Sequence, residues 1–122
     1  MKYYHATNHE ILVPDANEHA RNLRSVVNGN SVLGLFCNTN PTGLNVFGSR
    51  LYSFEIEDGA QVLEIKDEFR QAGRCMEYYR GVRDVLLMQG YQLVTVTHDE
   101  GVSAVVLDFD VIIDWRYEGD TP

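Results

Sequence analysis

Residues 34–56 constrain the fold of this chain most, because they contain two apolar runs separated by a short polar segment rich in turn-forming residues. The first run, 32–37, predicts a buried strand that ends in a loop. The second run, 50–57, alternates in polarity and predicts a half-buried strand with one aromatic face. Between them, residues 41–48 have room for a turn or about two turns of helix. Two strands and a short helix are therefore expected to meet at one place.

The aromatic residues Phe36 and Phe47 lie at the two sides of that meeting point. Two interpretations of this pair are open. The rings clamp a flat ligand, since offset aromatic stacking contributes about 0.5–1.5 kcal/mol beyond the burial of area. Alternatively, both rings belong to the core, which is the commoner role of aromatic side chains.

The remaining chain continues as strands and helices without an internal repeat or linker, which predicts one α+β domain over residues 1–122. A capping pattern at Asp15 and Glu18 starts a helix that ends before Gly29. A second helix is predicted over 67–89, where Gly73 and Gly81 favour a break or a division into two helices. The other strands are predicted at 2–7, 62–65, 92–97, 102–107 and 111–115, and the tail 118–122 is expected to be frayed.

Composition excludes several classes of protein. The formal net charge is −8, so the chain lacks the clustered lysine and arginine needed to bind a nucleic-acid backbone. No apolar run is long enough to cross a bilayer. Cys37 and Cys75 fit no metal spacing and are expected to be free buried thiols in a reducing compartment, which favours the cytoplasm.

The first strand carries a candidate binding residue, His5, which is followed by the small residues Ala6 and Thr7. Small side chains there would let a ligand approach the backbone. Taken alone, His5 is more often a histidine whose hydrogen bonds are satisfied inside the fold. His9 lies four residues further on, but the segment does not have the spacing of a helical zinc motif, so no metal site is predicted.

Three segments together resemble the ADP-ribosyltransferase superfamily, in the His–Tyr–Glu branch that includes diphtheria-toxin-like and poly-ADP-ribose-polymerase-like domains. YYHAT at 3–7 resembles the opening Tyr-His-Gly-Thr strand, with Ala6 in place of glycine. Residues 34–48 are similar to the Gly-Ile-Tyr-Phe strand and the short helix after it, with Phe36 at the tyrosine and Phe47 at the second aromatic. Residues 90–115 resemble the closing hairpin.

The resemblance implies a split β-sandwich of two mixed sheets with flanking helices and a site for NAD, which is the substrate in that family. His5 would bind the ribose of the adenosine half, within a cofactor-binding segment that also includes Thr7. Phe36 and Phe47 would hold the nicotinamide ring between them. The backbone of Ala6 and Gly34 would bind the carboxamide.

The sequence departs from the family at the catalytic glutamate, because Ser103 occupies its expected position. The nearest acids, Asp99 and Glu100, lie in the preceding turn. If the hairpin is regular, residues 101, 103 and 105 share one face and Glu100 points away from it. If Gly101 allows a bulge, Glu100 is re-aimed into the site.

Two functional hypotheses follow. In the first, the protein is an enzyme, a mono-ADP-ribosyltransferase or NAD glycohydrolase, that releases nicotinamide and uses Glu100 or Ser103 in catalysis. A protein acceptor or water would then receive the ADP-ribose. In the second, the domain is catalytically inactive and binds a nucleotide or a protein partner. Neither hypothesis involves a metal, a nucleic acid or a membrane.

Overall fold

Seven strands form one mixed sheet in the computed structural model, which describes residues 1–22, 29–66 and 75–122. Their order across the sheet is β4-β5-β6-β2-β1-β3-β7. β4 and β5 are parallel, and the other neighbours are antiparallel. The strands are β1 (Lys2–Thr7), β2 (Leu35–Asn38), β3 (Arg50–Ile56), β4 (Val62–Ile65), β5 (Leu93–His98), β6 (Gly101–Val106) and β7 (Ile112–Asp120).

The expected sandwich of two sheets is wrong, because β1 joins the two groups of strands into one sheet. Along one side, β1 pairs with β3 from Lys2↔Glu55 to Thr7↔Arg50. Along the other side it pairs with β2 only at Tyr4↔Asn38. The sheet is therefore continuous but has a short seam in its middle, between β1 and β2.

Two α-helices accompany the sheet in the described residues, α1 (Ala16–Asn22) and α2 (Met76–Met88). α1 confirms the predicted helix start after Asp15, and the predicted stretch 23–28 lies outside the described residues. The predicted residues 67–74 of the second helix also lie outside them. Short 3-10 helices occupy Gly29–Leu33, Leu44–Phe47 and Phe109–Val111.

The core lies on both faces of the sheet, since alternate residues of the central strands enter different apolar clusters. In β6, Ala104 and Val106 belong to one cluster and Val105 to the other, and all three are fully buried. The first cluster includes Tyr3, Phe54, Phe109 and Val111. The second cluster packs under α2, whose Tyr79 is 2% exposed.

Two details of the predicted strands need correction. β3 was expected to be half-buried, but its residues 51–54 are all buried because β1 and β7 flank it and both faces are covered. The tail was expected to be frayed, but β7 extends to Asp120. Ser53 donates a hydrogen bond to the Glu118 carboxylate, and the Thr121 amide donates to the Ser49 carbonyl at 2.9 Å.

The prediction that both cysteines are free thiols is confirmed, and the prediction that they are buried is correct for one of them. Cys37 and Cys75 are both free thiols. Cys37 is buried, and burial raises its pKa far above the ordinary value. Cys75 is exposed at the residue before α2, so its expected burial is wrong. No helix in the described part of the chain is long and apolar enough to span a membrane.

Candidate functional site

His5 occupies the seam between β1 and β2, where the two strands have only one registered pair. Its ring Nδ1 lies 2.7 Å from the carbonyl oxygen of Phe36. A carbonyl oxygen only accepts, so Nδ1 carries the proton and donates it. The side chain of His5 thus connects the strands just beyond Tyr4↔Asn38, where the ladder between them ends.

The protonation state of His5 follows from its surroundings. Burial is the main cause that lowers its pKa from 6.5 to about 4; the hydrogen bond to Phe36 acts in the opposite direction, and nearby His19 adds a smaller lowering effect. His5 is therefore neutral at pH 7. Because Nδ1 holds the single ring proton, Nε2 has a lone pair and can accept a hydrogen bond from a hydroxyl group.

Ala6 and Thr7 are buried, and the Thr7 hydroxyl has a partner within the protein. Its Oγ1 accepts a hydrogen bond from the His9 amide at 3.1 Å. A ligand was expected to approach the backbone at this point, but Gly48 of the same chain approaches the Thr7 backbone instead. A Cβ atom added at Gly48 would lie 2.2 Å from the Thr7 carbonyl carbon. Its φ of +159° lies at the edge of the left-handed range, so contact with Thr7 is the main reason for glycine here.

Phe47 is presented to solvent beside the end of β1. Its side chain is 62% exposed at the end of the 3-10 helix Leu44–Phe47, so the interpretation of Phe47 as a core residue is wrong. The contact of Gly48 with Thr7 fixes the position of this helix. The Ser49 amide adds a hydrogen bond of 3.0 Å to the Asn8 side chain.

Phe36 has a different environment from Phe47. It is half-buried and packs against the apolar cluster under α2. Strand alternation puts Phe36 and His5 on opposite faces, because Tyr4 is paired with Asn38 and shares its face. A ligand that touches both His5 and Phe36 would have to lie in the opening where β1 and β2 separate.

Gly34 is required for packing, a role that the sequence analysis missed. It is buried immediately before β2. A Cβ atom at this position would lie 2.2 Å from the Val106 carbonyl oxygen and 2.9 Å from Val105 Cγ1. Its predicted contact with a carboxamide stays a prediction.

Ser103 forms a polar pair with Asn38, a residue that the sequence analysis did not single out. The two are directly paired across β6 and β2, and Asn38 Nδ2 donates to Ser103 Oγ at 2.9 Å. Asn38 Oδ1 accepts from the Asn40 amide at 2.8 Å. The spacing of two asparagines before Pro41 is the signal of this turn. Since Ser103 Oγ accepts from Asn38, its own proton is left to donate.

The hairpin of β5 and β6 is regular. Its pairs run without a shift through His98↔Gly101, Thr97↔Val102 and Val96↔Ser103. The bulge that would re-aim Glu100 is absent from this hairpin. Glu100 is exposed in the two-residue turn, where its carbonyl accepts a hydrogen bond from Asn40 Nδ2 at 3.3 Å. Its role in catalysis stays a prediction.

No protein-family model, no curated protein and no solved structure matches this chain. The resemblance to ADP-ribosyltransferases therefore stays a prediction that depends on the quoted segments and on the geometry above. In residues 1–22, 29–66 and 75–122, no group of three or more histidine, cysteine or acidic side chains could hold a metal ion.

Proposed function

We propose that the protein binds NAD at the opening between β1 and β2, using the residues that resemble the ADP-ribosyltransferase site. The observation that carries the proposal is the 2.7 Å hydrogen bond from His5 to the Phe36 carbonyl. This bond brings two of the predicted binding residues together from strands that are 31 residues apart in the chain. It also fixes which ring nitrogen of His5 remains to accept a hydrogen bond.

Neutral His5 suits a ribose hydroxyl better than a phosphate group. Its Nε2 can accept one hydrogen bond from the hydroxyl, whereas a phosphate would need a donor or a positive charge. This agrees with the acidity of the chain, whose net charge is −8. Binding would depend on neutral hydrogen bonds and stacking more than on ion pairs.

The exposed ring of Phe47 supplies the stacking surface. The next residue, Gly48, contacts Thr7, so Phe47 lies near the C-terminal end of β1. Phe36 would form a fixed wall, because its ring already packs against the apolar cluster under α2. Ligand binding would then cover the ring of Phe47 and leave the exposure of Phe36 nearly unchanged.

The regular hairpin favours a second candidate function, that of a binding domain without transfer chemistry. Ser103 offers a hydroxyl proton where the family has a carboxylate, and a donor does not stabilise the positive charge that develops on the ribose. Loss of one such electrostatic group lowers a rate by ~10²–10³. If transfer to a protein acceptor or to water occurs, the regular hairpin predicts that it does so without direct help from Glu100.

Calorimetric titration with NAD tests the proposal. His5→Asn keeps a donor near the position of Nδ1 and removes Nε2, so the affinity for NAD should fall by about 2–10-fold, as for one neutral hydrogen bond. Phe47→Ala should weaken binding by about the same factor through lost stacking, with little change in the melting temperature. Met88→Ala is the control, because Met88 is 88% exposed at the far end of α2.

Three results contradict the proposal: no binding of NAD by the wild type, unchanged affinity in both site variants, or an equal loss in Met88→Ala. A parallel assay for free nicotinamide separates the two candidate functions. Release by the wild type supports the enzyme, and binding without release supports the inactive domain.

A further inference from the structure

A cleft of about 520 Å³, here called the helix cleft, opens between α1 and α2. None of the residues assigned above to NAD lines it. Its volume is in the range of sites for small molecules, roughly 300–1,000 Å³. The residues of its wall that matter here are His19, Val32, Arg80, Arg83, Asp84 and Phe109.

The floor of this helix cleft is apolar and contains flat rings. Val32 is 7% exposed and Phe109 is 9% exposed. The His19 ring meets Phe109 edge to face, with 5.3 Å between the ring centroids. Burial lowers the pKa of His19, whose Nε2 donates to the Ser31 carbonyl at 3.0 Å, so the ring is mainly uncharged at pH 7. A flat apolar group would pack well against this floor.

The rim of the cleft is positively charged, although the whole chain is acidic. Arg80 and Arg83 are one turn apart on α2 and so lie on the same side of the helix. Arg83 Nη1 donates to the Leu33 carbonyl at 2.8 Å, which leaves most of the guanidinium donors for other partners. Arg80 is exposed and makes no hydrogen bond or ion pair with another described residue.

One acid, Asp84, also lines the cleft, and its negative charge offsets part of the positive charge of the two arginines. Burial lowers the pKa of Arg83, and attraction by Asp84 and Asp108 offsets this lowering only in part. Neither acid is within 4.0 Å of a guanidinium nitrogen in an ion pair, so Arg83 remains available. Among the described residues of the lining, two arginines and one aspartate give a net charge of +1.

We infer that the helix cleft binds a small organic anion that consists of a flat ring and a phosphate or carboxylate group. The ring would pack on Val32 and Phe109. The anionic group would accept charge-assisted hydrogen bonds from Arg80 and Arg83, which are stronger than bonds between neutral groups. This site shares no lining residue with the proposed NAD site, although its His19 lies near His5 and Gly34, and the inference does not depend on the NAD proposal.

Calorimetry with four probes tests the ligand class. Phenyl phosphate and benzoate carry both a ring and an anionic group, benzyl alcohol lacks the charge, and inorganic phosphate lacks the ring. We expect phenyl phosphate or benzoate to bind at least tenfold more tightly than the other two, and the better of them identifies the anionic group. Absence of binding by both, or equal binding of inorganic phosphate, overturns the inference.

Three variants test the residues with phenyl phosphate and benzoate as probes. Arg80→Gln should weaken binding by about tenfold, the effect of one charge-assisted hydrogen bond, and the exposure of Arg80 makes misfolding no concern. Asp84→Asn should strengthen binding by about 2–5-fold, because an opposing charge is removed. The control Arg116→Gln changes an exposed arginine of β7 and should have no effect. No change in Arg80→Gln, or weaker binding in Asp84→Asn, contradicts the assignment.

A competition experiment separates this inference from the proposed NAD site. His5→Asn should bind the anionic probe as well as the wild type does, whatever its affinity for NAD. Saturating NAD should leave the affinity for the probe unchanged. Displacement of the probe by NAD would assign the helix cleft to the NAD site and overturn its independence.

Discussion

The seam between β1 and β2 and the hairpin of β5 and β6 both carry residues expected to act on a ligand, but their geometry differs. At the seam the strands have a single registered pair, and a histidine side chain bonds to a backbone carbonyl beyond it. In the hairpin every position from His98↔Gly101 to Leu93↔Val106 is paired. Diverging strands leave polar groups free to meet a ligand, whereas a complete ladder fixes the direction of each side chain. This difference favours the proposal of a binding domain over that of an enzyme.

The largest expected effect comes from Gly34→Ala. The added methyl group would push β2 away from β6 and so break the seam between β2 and β1. The added Cβ would lie 2.2 Å from the Val106 carbonyl oxygen, a backbone atom of the neighbouring strand that cannot rotate away as a side chain could. We expect the free energy of unfolding to fall by about 3 kcal/mol. Urea unfolding followed by circular dichroism measures it.

Gly81→Ala is the matched control for this change. A Cβ at Gly81 meets no atom within 4 Å, and the residue lies inside α2. Alanine should therefore stabilise the protein by roughly 0.5–1 kcal/mol through its higher helix propensity. Equal destabilisation by both substitutions would contradict the packing role of Gly34.

The next effect concerns the hairpin, where Ser103→Glu would give the proposed site the carboxylate that it lacks. Any release of nicotinamide from NAD should rise by ~10²-fold, because the acid stabilises the charge that develops on the ribose. The assay measures free nicotinamide, with the affinity for NAD determined in parallel. Ser103→Gln, of similar size and without charge, should not show the rise. An equal increase in both variants would show that charge is not the cause.

The protonation of His5 provides a test of the seam by pH. His5 takes up a proton near pH 6.5 in the unfolded chain but only near pH 4 in the folded protein. The contribution of His5 to stability is therefore fully present above pH 6.5, where its side chain is neutral, and is lost as the pH falls toward 4. Stability should fall by roughly 2 kcal/mol between pH 7 and pH 5 through this group alone. His19, whose pKa burial also lowers, acts in the same direction.

Comparison of the wild type with His5→Asn isolates the contribution of His5, since other titrating groups are common to both. The wild type should lose more stability than the variant over this interval in urea unfolding. Parallel loss in the two proteins would mean that His5 keeps an ordinary pKa in the fold.

The smallest expected effect is that of Glu100→Gln. Because the hairpin is regular and Glu100 is exposed in its turn, both the affinity for NAD and any nicotinamide release should change by less than about twofold. A decrease of ~10²-fold with unchanged affinity for NAD would instead show that Glu100 reaches the site, and would restore it as the catalytic acid.

Much of the local structure could be predicted from the sequence. The bounds of β1, β3 and β4 agree to within one residue with those predicted from the local pattern of apolar and polar residues. The 3-10 helix Leu44–Phe47 is the expected short helix before Gly48. These features depend on neighbours in the chain, which is why a local pattern is enough to predict them.

The features that depend on distant residues could not be predicted in this way. Whether β1 joins one sheet or two depends on its contacts with Asn38 and with β3, and no local pattern encodes them. The burial of Ser53 depends in part on Glu118, in a tail that reads as loop. The pairing of Asn38 with Ser103 joins residues 65 positions apart. For the same reason, the resemblance could suggest site residues but not where their side chains point.

The strand order also has a consequence for the time course of folding. β1 lies near the middle of the sheet, but its neighbours β2 and β3 begin about 30 and 50 residues later, and β6 and β7 complete the sheet from the last quarter of the described chain. Most of the sheet must therefore form by closing long loops before the bonds that stabilise it exist. Such topologies are associated with slow folding, on the scale of milliseconds to seconds. During synthesis on the ribosome, β1 would emerge before β2 and β3 and remain without its full set of partners until both had followed.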